Sequence, residues 1–331
     1  MKAVRFGAIA MPFFLACSLR PNGRVLKEAL WMFYAAGLVS MITGVVFYAF
    51  DIDLGLDVQT FKFGDELHSR AVGIFGESGQ FAHLLVTWVL VSLLLLPIIA
   101  PSAKTKVATL VAMLLGLVCL YLSLSRGATG NLLTTLIAAA VFPSTRRVLK
   151  GALKHLRVPL LLFAATAMVG VFLAIATALG DTIIQTLQLR FIEGTLEAYS
   201  ENPDAASSGR LEAWALGLRR FQESPFLGLG YKAMMVGQYA SSDNQYVGTL
   251  FDQGLLGLVA LVGFILKLFG RLRQLARAGN PVSTMIQAIW IGQLVQAMTT
   301  DILTFWGGMP ALLGITGLIA AGHPTQLNQK A

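Results

Sequence analysis

The sequence predicts an all-α polytopic membrane protein that forms a single integral membrane domain over residues 1–331. Its composition is 56% hydrophobic and only 13% charged, which is too little charge to cover the surface of a soluble domain of this length. Apolar segments of roughly the 20 residues that one helical crossing requires recur along the chain. We count nine of them, at residues 3–19, 28–50, 80–100, 105–124, 129–143, 158–180, 248–269, 282–300 and 304–321.

The charges in the short loops predict how these segments are oriented. If the nine segments alternate, four basic groups fall on one side, which the positive-inside rule identifies as the cytoplasm. Of the 17 acidic residues, only Glu28 is assigned to this side, and the others lie in or beside the loops of the opposite side. The basic groups are Arg20–Lys27, Lys104–Lys106, Arg146–Arg157 and Lys267–Arg277.

Two segments leave alternatives open. Nine crossings with a cytoplasmic C-terminus place Lys2 and Arg5 outside, against the rule. Either the first segment does not cross fully, or further sequence precedes it, or the rule fails locally, so the topology of residues 1–27 stays open. The fifth segment is short, and it either crosses with a tilt or continues the fourth helix through a break at Ser125–Gly127.

Two extracytoplasmic segments, residues 51–79 and 181–247, are too long to be simple connections. The second contains a predicted amphipathic helix, in which apolar residues recur at a spacing of three and four and Ser224-Pro225 ends the pattern. Such a helix lies in the membrane interface with its apolar side toward lipid or the bundle. A role as a packing helix above the bundle is an equal alternative to a direct role in chemistry. The recurring apolar residues are Leu211, Trp214, Leu218 and Phe221.

Three arginines on the predicted outer side, Arg70, Arg126 and Arg210, indicate anion recognition. Each lies beside small residues, and a guanidinium offers a planar fork of donors that matches phosphate. A neighbouring glycine also lets an anion approach the backbone. The alternative for any one of them is pairing with an acidic neighbour or extension toward the interface. The net charge of +8 does not indicate nucleic-acid binding, because the basic residues are spread over short loops.

Asp243 is the best candidate for a general base, since it precedes the seventh apolar segment among the polar residues of the outer side. The alternative is a helix N-cap, for which aspartate before a helix is common. Glu77, Glu212 and Tyr246 are secondary candidates. The histidines and cysteines lack the spacing of metal ligands, and no nucleotide-binding loop or nucleophile elbow is present. We therefore expect no metal and no cofactor.

Four tracts between residues 65 and 320 resemble, in order, the pattern of the O-antigen ligase and polymerase family. No single tract is specific, but their order between apolar segments is. The tracts are Arg70-x-x-Gly73-x-Phe75-x-Glu77; Ser125-Arg126-Gly127-Ala128; Ser208-Gly209-Arg210-Leu211-Glu212-x-Trp214 with Ser224-Pro225-Phe226-Leu227-Gly228-Leu229-Gly230; and Asp243-Asn244-Gln245-Tyr246 with Gln253-Gly254-Leu255-Leu256-Gly257-Leu258.

This resemblance implies a GT-C-like, multi-pass glycosyltransferase of the bacterial inner membrane whose active site faces the periplasm or cell exterior. Such enzymes transfer sugar chains from a polyprenyl diphosphate carrier without a metal ion. Arg70, Arg126, Arg210 and Asn244 would then bind the diphosphate, and Asp243 and Arg210 would act in catalysis. The expected partners are the polyprenyl-diphosphate-linked oligosaccharide, membrane lipid, and chain-length regulator and export proteins.

Ligases of this family resemble one another in having His-Asn where this chain has Asp243-Asn244. The aspartate is more similar to exopolysaccharide and capsule polymerases, so we favour a polymerase over a ligase that transfers glycan en bloc to a lipid or protein. A transporter of the same lipid carriers is the alternative from another class. Transporters tend to place polar sites near the midplane of repeated halves, whereas here the polar residues gather at the outer face and no repeat is evident.

Overall fold

A computed structural model of the chain shows a mainly helical protein. The structure describes residues 2–19, 23–50, 52, 60–63, 66–75, 77–123, 125–143, 145–147, 150, 210–230 and 243–322. The helices are α1 (Lys2–Ser18), α2 (Gly23–Ala49), α3 (Ser78–Ile99), α4 (Ala103–Ser123), α5 (Arg126–Val141), α6 (Arg210–Phe221), α7 (Gln245–Arg277), α8 (Pro281–Gln296) and α9 (Met309–Ala321).

These helices confirm an α-helical membrane protein. Within the described residues, α2, α3, α4 and α7 are long and apolar enough to cross a membrane. Helices α1, α5, α8 and α9 coincide with four more of the predicted segments, while segment 158–180 lies outside the described residues. The count of nine crossings therefore stays a prediction. One element was not predicted, since Thr60–Phe63 (β1) and Glu66–Ser69 (β2) pair as a short antiparallel hairpin within segment 51–79.

Helix α3 contains a π-helical turn at Val91–Leu95 just before Pro97. Proline has no N–H group, so a backbone carbonyl that precedes it loses a helical partner. The structure satisfies the carbonyl of Ser92 from α4, because Thr109 Oγ1 donates to Ser92 O at 3.1 Å. Thr109 is therefore a polar residue in an apolar helix because backbone groups in lipid must find their hydrogen-bond partners within the protein.

Polar side chains also join α3, α5 and α8 inside the bundle. His83 Nε2 and Gln293 Oε1 lie 2.9 Å apart, and Gln293 Nε2 donates to Thr87 Oγ1 at 3.2 Å. Asn131 Nδ2 donates to Gln296 Oε1 at 2.7 Å. Hydrogen bonds of this kind fix the register of helices in an apolar environment, and here they bring the start of α3, the start of α5 and the end of α8 to the same end of the bundle.

The two ends of the bundle differ in charge. The basic end contains Lys27 and Lys104, at the starts of α2 and α4, which line one cavity. It also contains Arg271, near the end of α7, whose Nε donates to Ala320 O at the end of α9 at 2.9 Å. The starts of α3, α5 and α7 lie at the opposite end. Helix α5 therefore turns back toward the basic end and does not continue α4, which decides between the two alternatives for the fifth segment.

Helix α1 packs along α9 and runs in the same direction. Pro12 lies against Gly314, and Phe13 and Ala16 lie against Gly317, while α1 also contacts the 3-10 turn Ile302–Thr304 that precedes α9. The start of α1 therefore lies at the end opposite to the basic end, as alternating crossings predict. The small residues of α9 permit this close approach, as is typical of helix pairs in membranes.

We expect Gly317→Ala to weaken the packing of α1 on α9. A Cβ at this position would lie 2.7 Å from Phe13 O and 2.9 Å from Ala16 Cβ, and overpacking of this kind lowers the free energy of unfolding by about 1–3 kcal/mol. Thermal unfolding in detergent measures the effect. Gly314→Ala is the control, because its Cβ would meet Pro12 Cβ at 3.4 Å, an ordinary contact. Equal melting temperatures for the two variants would contradict the prediction.

Candidate active site

Arg70 lies against the end of α4. Its backbone continues from β2, and the next residue donates from Ala71 N to Leu122 O at 3.0 Å. The guanidinium itself donates from Arg70 Nε to Ser123 O at 3.2 Å. Because both bonds go to carbonyls at the C-terminus of a helix, where acceptors lack intrahelical partners, this part of the chain and its arginine are fixed at the end of the bundle.

Arg126 is the first residue of α5. Ser125 caps this helix, since its Oγ accepts a hydrogen bond from Ala128 N at 3.3 Å. Gly127 packs against the end of α8, where a Cβ would lie 2.5 Å from Thr299 Oγ1. The position beside a helix N-terminus adds the positive end of the helix dipole to the charge of the guanidinium, and such a site favours an anion.

Asp243 and Asn244 begin α7 and have different roles in the fold. Asn244 is the N-cap, because its Oδ1 accepts from Tyr246 N at 3.0 Å and from Val247 N at 3.1 Å. Its Nδ2 donates to Met298 O at 3.1 Å. Asp243 is partly buried and has a backbone φ of 45°, in the left-handed region that aspartate tolerates better than most residues. The capping alternative for Asp243 is therefore wrong.

The start of α7 is joined to the chain that follows α8. Gln245 N donates to Ala297 O at 2.8 Å, and Gln245 Oε1 accepts from Leu303 N at 2.9 Å. Tyr246 Oη donates to Leu294 O at 2.9 Å. These contacts show that Tyr246, a secondary candidate for the site, joins α7 to α8. They also place Asp243 directly beside the end of α8.

Residues 297–308, the α8–α9 connection, lie at this end of the bundle. The sequence did not predict that they contact the candidate site tracts. The predicted segments ended at 300 and began again at 304, whereas α8 ends at Gln296 and α9 begins at Met309. Between them the chain makes turns that contact Gly127 through Thr299 and Asn244 through Met298. The Arg126 and Asp243 tracts therefore adjoin the same turn. The polar run Thr299-Thr300-Asp301 was the available signal.

Glu77 lies where α3 begins, near the α8–α9 connection. It occupies the N-cap position of α3, but its side chain makes no capping hydrogen bond. Its Oε2 accepts from Gln80 Nε2 at 2.7 Å instead. Gly79, in the next turn, faces Phe305, so the Arg70–Glu77 tract also adjoins residues 297–308. Three of the four tracts thus meet at one end of the bundle, opposite to the basic end.

The third tract is described in part. Arg210 is the first residue of α6 and Glu212 lies in its first turn, while the side chains of residues 210–213 lie outside what the structure describes. The helix itself was predicted, and its end at Phe221 agrees with the pattern. Gly217 lies against Phe251 of α7, whereas Leu218 is 53% exposed. A glycine of α6, beside the predicted apolar stripe, therefore packs against α7.

The glycine-rich halves of the last two tracts bind each other. Gly254 has a φ of 66° and interrupts α7, so the backbone groups on both sides of it lose helical partners. Residues 225–230 supply replacements. Pro225 O and Phe226 O accept from Leu255 N at 2.9 Å and Leu256 N at 3.2 Å, while Leu229 N and Gly230 N donate to Phe251 O at 2.8 Å and Asp252 O at 2.9 Å.

The close approach of these two strands of backbone requires glycine on both sides. A Cβ on Gly228 would lie 2.5 Å from Gln253 N, and one on Gly254 would lie 2.6 Å from Gly228 N. Both residues also have a positive φ, which only glycine adopts without cost. The tracts quoted for the family are therefore a structural unit, which we call the docked kink, residues 225–230 and 251–256.

The arrangement is suited to anion chemistry at a membrane surface. Arg70 and Arg126 come from separate tracts, and Asp243 supplies a carboxylate at the same end of the bundle. Among the described residues, no three His, Cys, Asp or Glu side chains are grouped as a metal site. A phosphate group would find forked donors and a helix N-terminus here.

Comparison with known proteins agrees with the four tracts. Residues 111–262 match the model of a family described as O-antigen ligase. The match begins in α4 and ends in α7, so it includes Arg126, Arg210, Asp243 and the docked kink. No curated protein matches the chain significantly. The matched domain, a little under half of the chain, is therefore similar to the O-antigen ligase family and supports the resemblance found in the four tracts.

Proposed function

We propose that the protein polymerises oligosaccharide repeat units, carried on polyprenyl diphosphate, into a surface polysaccharide or exopolysaccharide at the outer face of the inner membrane. A hydroxyl of one lipid-linked unit attacks the anomeric carbon of another, and its proton passes to the Asp243 carboxylate. The bond between the anomeric carbon and the diphosphate oxygen breaks with its electron pair. Polyprenyl diphosphate leaves from the attacked unit, and the longer glycan stays on the carrier of the unit whose hydroxyl attacked.

The observation that supports this proposal best is the meeting of Arg70, Arg126 and Asp243 at one end of the bundle. Negative charge grows on the diphosphate as the bond breaks, and fixed cations stabilise that charge more in the transition state than in the ground state. Arg70 is held by Ser123 O, and Arg126 lies at the start of α5. Arg70 is therefore held before the substrate arrives, and Arg126 and Arg210 would add cations from the starts of α5 and α6.

Asp243 suits the role of base because it is not used as a cap. Asn244 accepts from the first N–H groups of α7, so capping of this helix does not require the charge of Asp243. The amide of Asn244 also has a structural use, since its Nδ2 donates to Met298 O at 3.1 Å. Glu77 and Glu212 remain alternative carboxylates for the same step.

The function is tested by chain extension in vitro. Purified protein in lipid nanodiscs is given lipid-linked repeat units, and the products are separated by size. A ladder of glycans on the polyprenyl carrier supports the polymerase. Transfer of one block to an added lipid or protein acceptor, without a ladder, would establish the ligase alternative. Movement of intact lipid-linked units across proteoliposomes, without any new glycosidic bond, would establish the transporter.

Forked phosphate recognition by Arg126 predicts a graded effect of substitution. We expect Arg126→Ala to slow chain extension by about 10²–10³-fold, as for the loss of one transition-state donor. Arg126→Lys retains the charge but not the fork, so it should lose at least about tenfold. Arg219→Lys is the control. Arg219 is exposed on α6, so this variant should extend chains at the wild-type rate. Normal rates for both Arg126 variants would remove this residue from the site.

A further inference from the structure

A groove lies at the basic end of the bundle, away from the candidate active site. Its volume is about 970 Å³, and it opens between the first turns of α2 and of α4. This volume is within the range of about 300–1,000 Å³ that is typical of small-molecule sites. Lining side chains that matter here are Lys27, Trp31 and Tyr34 from α2, and Lys104, Val107 and Val111 from α4.

The charge of the groove is positive and uncompensated within the described residues. Its two charged lining residues are Lys27 and Lys104. The acidic residue nearest in sequence, Glu28, accepts from Arg24 Nε at 2.8 Å on the exposed side of α2, and in the described part of the chain no ion pair involves either lysine. The N-terminus of α4 adds the positive end of a helix dipole.

The remainder of the groove is apolar and open to the side. Trp31 and Val111 are partly buried, while Val107 is 63% exposed on the outer surface of α4. The Tyr34 hydroxyl is used within the fold, since it donates to Ala108 O at 3.0 Å. A ligand therefore meets cations at the mouth and apolar surface below it, along the face of helices long and apolar enough to cross a membrane. Tryptophan is common at this level of a bilayer.

We propose that this groove binds an anionic phospholipid. Its headgroup phosphate lies between Lys27 and Lys104, and the part of the acyl chains nearest the headgroup lies on Trp31, Val107 and Val111. Basic pockets between helices suit anionic headgroups, and ammonium groups bind phosphate as point charges. A free phosphate would use the lysines but not the apolar surface. The occupant is thus amphipathic, and the groove binds it independently of the proposed transferase activity.

Native mass spectrometry of the detergent-purified full chain tests the proposal with phosphatidylglycerol and phosphatidylcholine as probes. We expect phosphatidylglycerol to bind at least about tenfold more tightly than phosphatidylcholine, and the variant Lys27→Gln/Lys104→Gln to lose this difference. The control Lys106→Gln/Lys267→Gln removes the same charge from exposed lysines that do not line the groove, and it should bind like the wild type. Equal losses in the two double variants would overturn the assignment.

A second measurement does not depend on variants. Phosphatidylglycerol with a photoreactive group in the upper acyl chain is crosslinked to the wild-type protein, and the labelled peptides are mapped. Labelling concentrated on residues 27–38 and 100–111 supports the groove. Labelling spread evenly over all lipid-facing helices, or loss of the bound lipid in the presence of millimolar inorganic phosphate, would overturn the proposal.

Discussion

Asp243→Asn should slow chain extension by at least about 10²-fold while the protein stays folded. Asparagine keeps the size of the side chain and one acceptor oxygen, but it has an NH2 donor in place of the other oxygen and cannot take the proton of the attacking hydroxyl. General-base catalysis contributes about 10²–10⁴-fold. The cap of α7 is made by Asn244, so removal of the charge leaves the start of the helix intact. The measurement is the initial rate of glycan ladder formation in nanodiscs.

The choice of asparagine follows from the backbone. Asp243 has a φ of 45°, where most residues with a Cβ lose about 1–2 kcal/mol but asparagine is tolerated. Alanine at this position would combine loss of the base with backbone strain, so its effect would be ambiguous. Glu223→Gln is the matched control, because Glu223 is an exposed carboxylate just after α6. If Asp243→Asn extended chains as fast as Glu223→Gln, Asp243 would not be the base.

Gly254→Ala should lower the free energy of unfolding by about 2–4 kcal/mol, the largest stability effect that we expect of a single methyl group in this protein. The left-handed backbone alone costs an alanine about 1–2 kcal/mol. The Cβ would also collide with Phe226 O, which separates residues 225–230 from α7 and breaks backbone hydrogen bonds that contribute about 1 kcal/mol each. Thermal unfolding in detergent, followed by helical circular dichroism, measures the loss.

The same helix offers a control for this substitution. Gly263 has no heavy atom within 4 Å of the position of a Cβ, so Gly263→Ala should be neutral or stabilise by up to about 1 kcal/mol through helix propensity. Gly228→Ala should resemble Gly254→Ala, because both disrupt the docked kink. A double variant with both changes should then lose less than the sum of the single losses. Strict additivity would argue that the two glycines act separately.

Much of the fold follows from the sequence because lipid imposes simple rules. Long apolar segments had to become helices, since every backbone group in the hydrocarbon layer needs an internal partner. The bounds of α2 and α4 accordingly agree with the segments 28–50 and 105–124 within a few residues. The basic groups near Lys27, Lys104 and Arg271 lie at one end of the bundle, as the charge pattern predicted. Hydropathy and charge act over whole segments, and for this reason they are readable without a structure.

The remaining features depend on contacts between residues far apart in sequence. The predicted break at residues 301–303 is shorter than the observed connection from Ala297 to Gly308, because hydropathy does not record where a helix ends to meet another element. Asp243 and Asn244 were equally good caps by residue type, and only the bonds from Tyr246 N and Val247 N distinguish them. The glycines of the docked kink had no local explanation at all. Each one makes room for backbone that lies elsewhere in the chain.

The docked kink also affects when the backbone between Asp243 and α7 becomes ordered. The bond from Leu229 N to Phe251 O closes a ring of backbone that contains Asp243, and α7 forms one side of it. The side of this ring that the structure describes, from Asp243 to Phe251, is fixed when the protein folds, so its conformational entropy is lost at that stage rather than when a sugar chain binds. If Asp243 is the base, the substrate therefore meets a carboxylate whose backbone is already held at the start of α7.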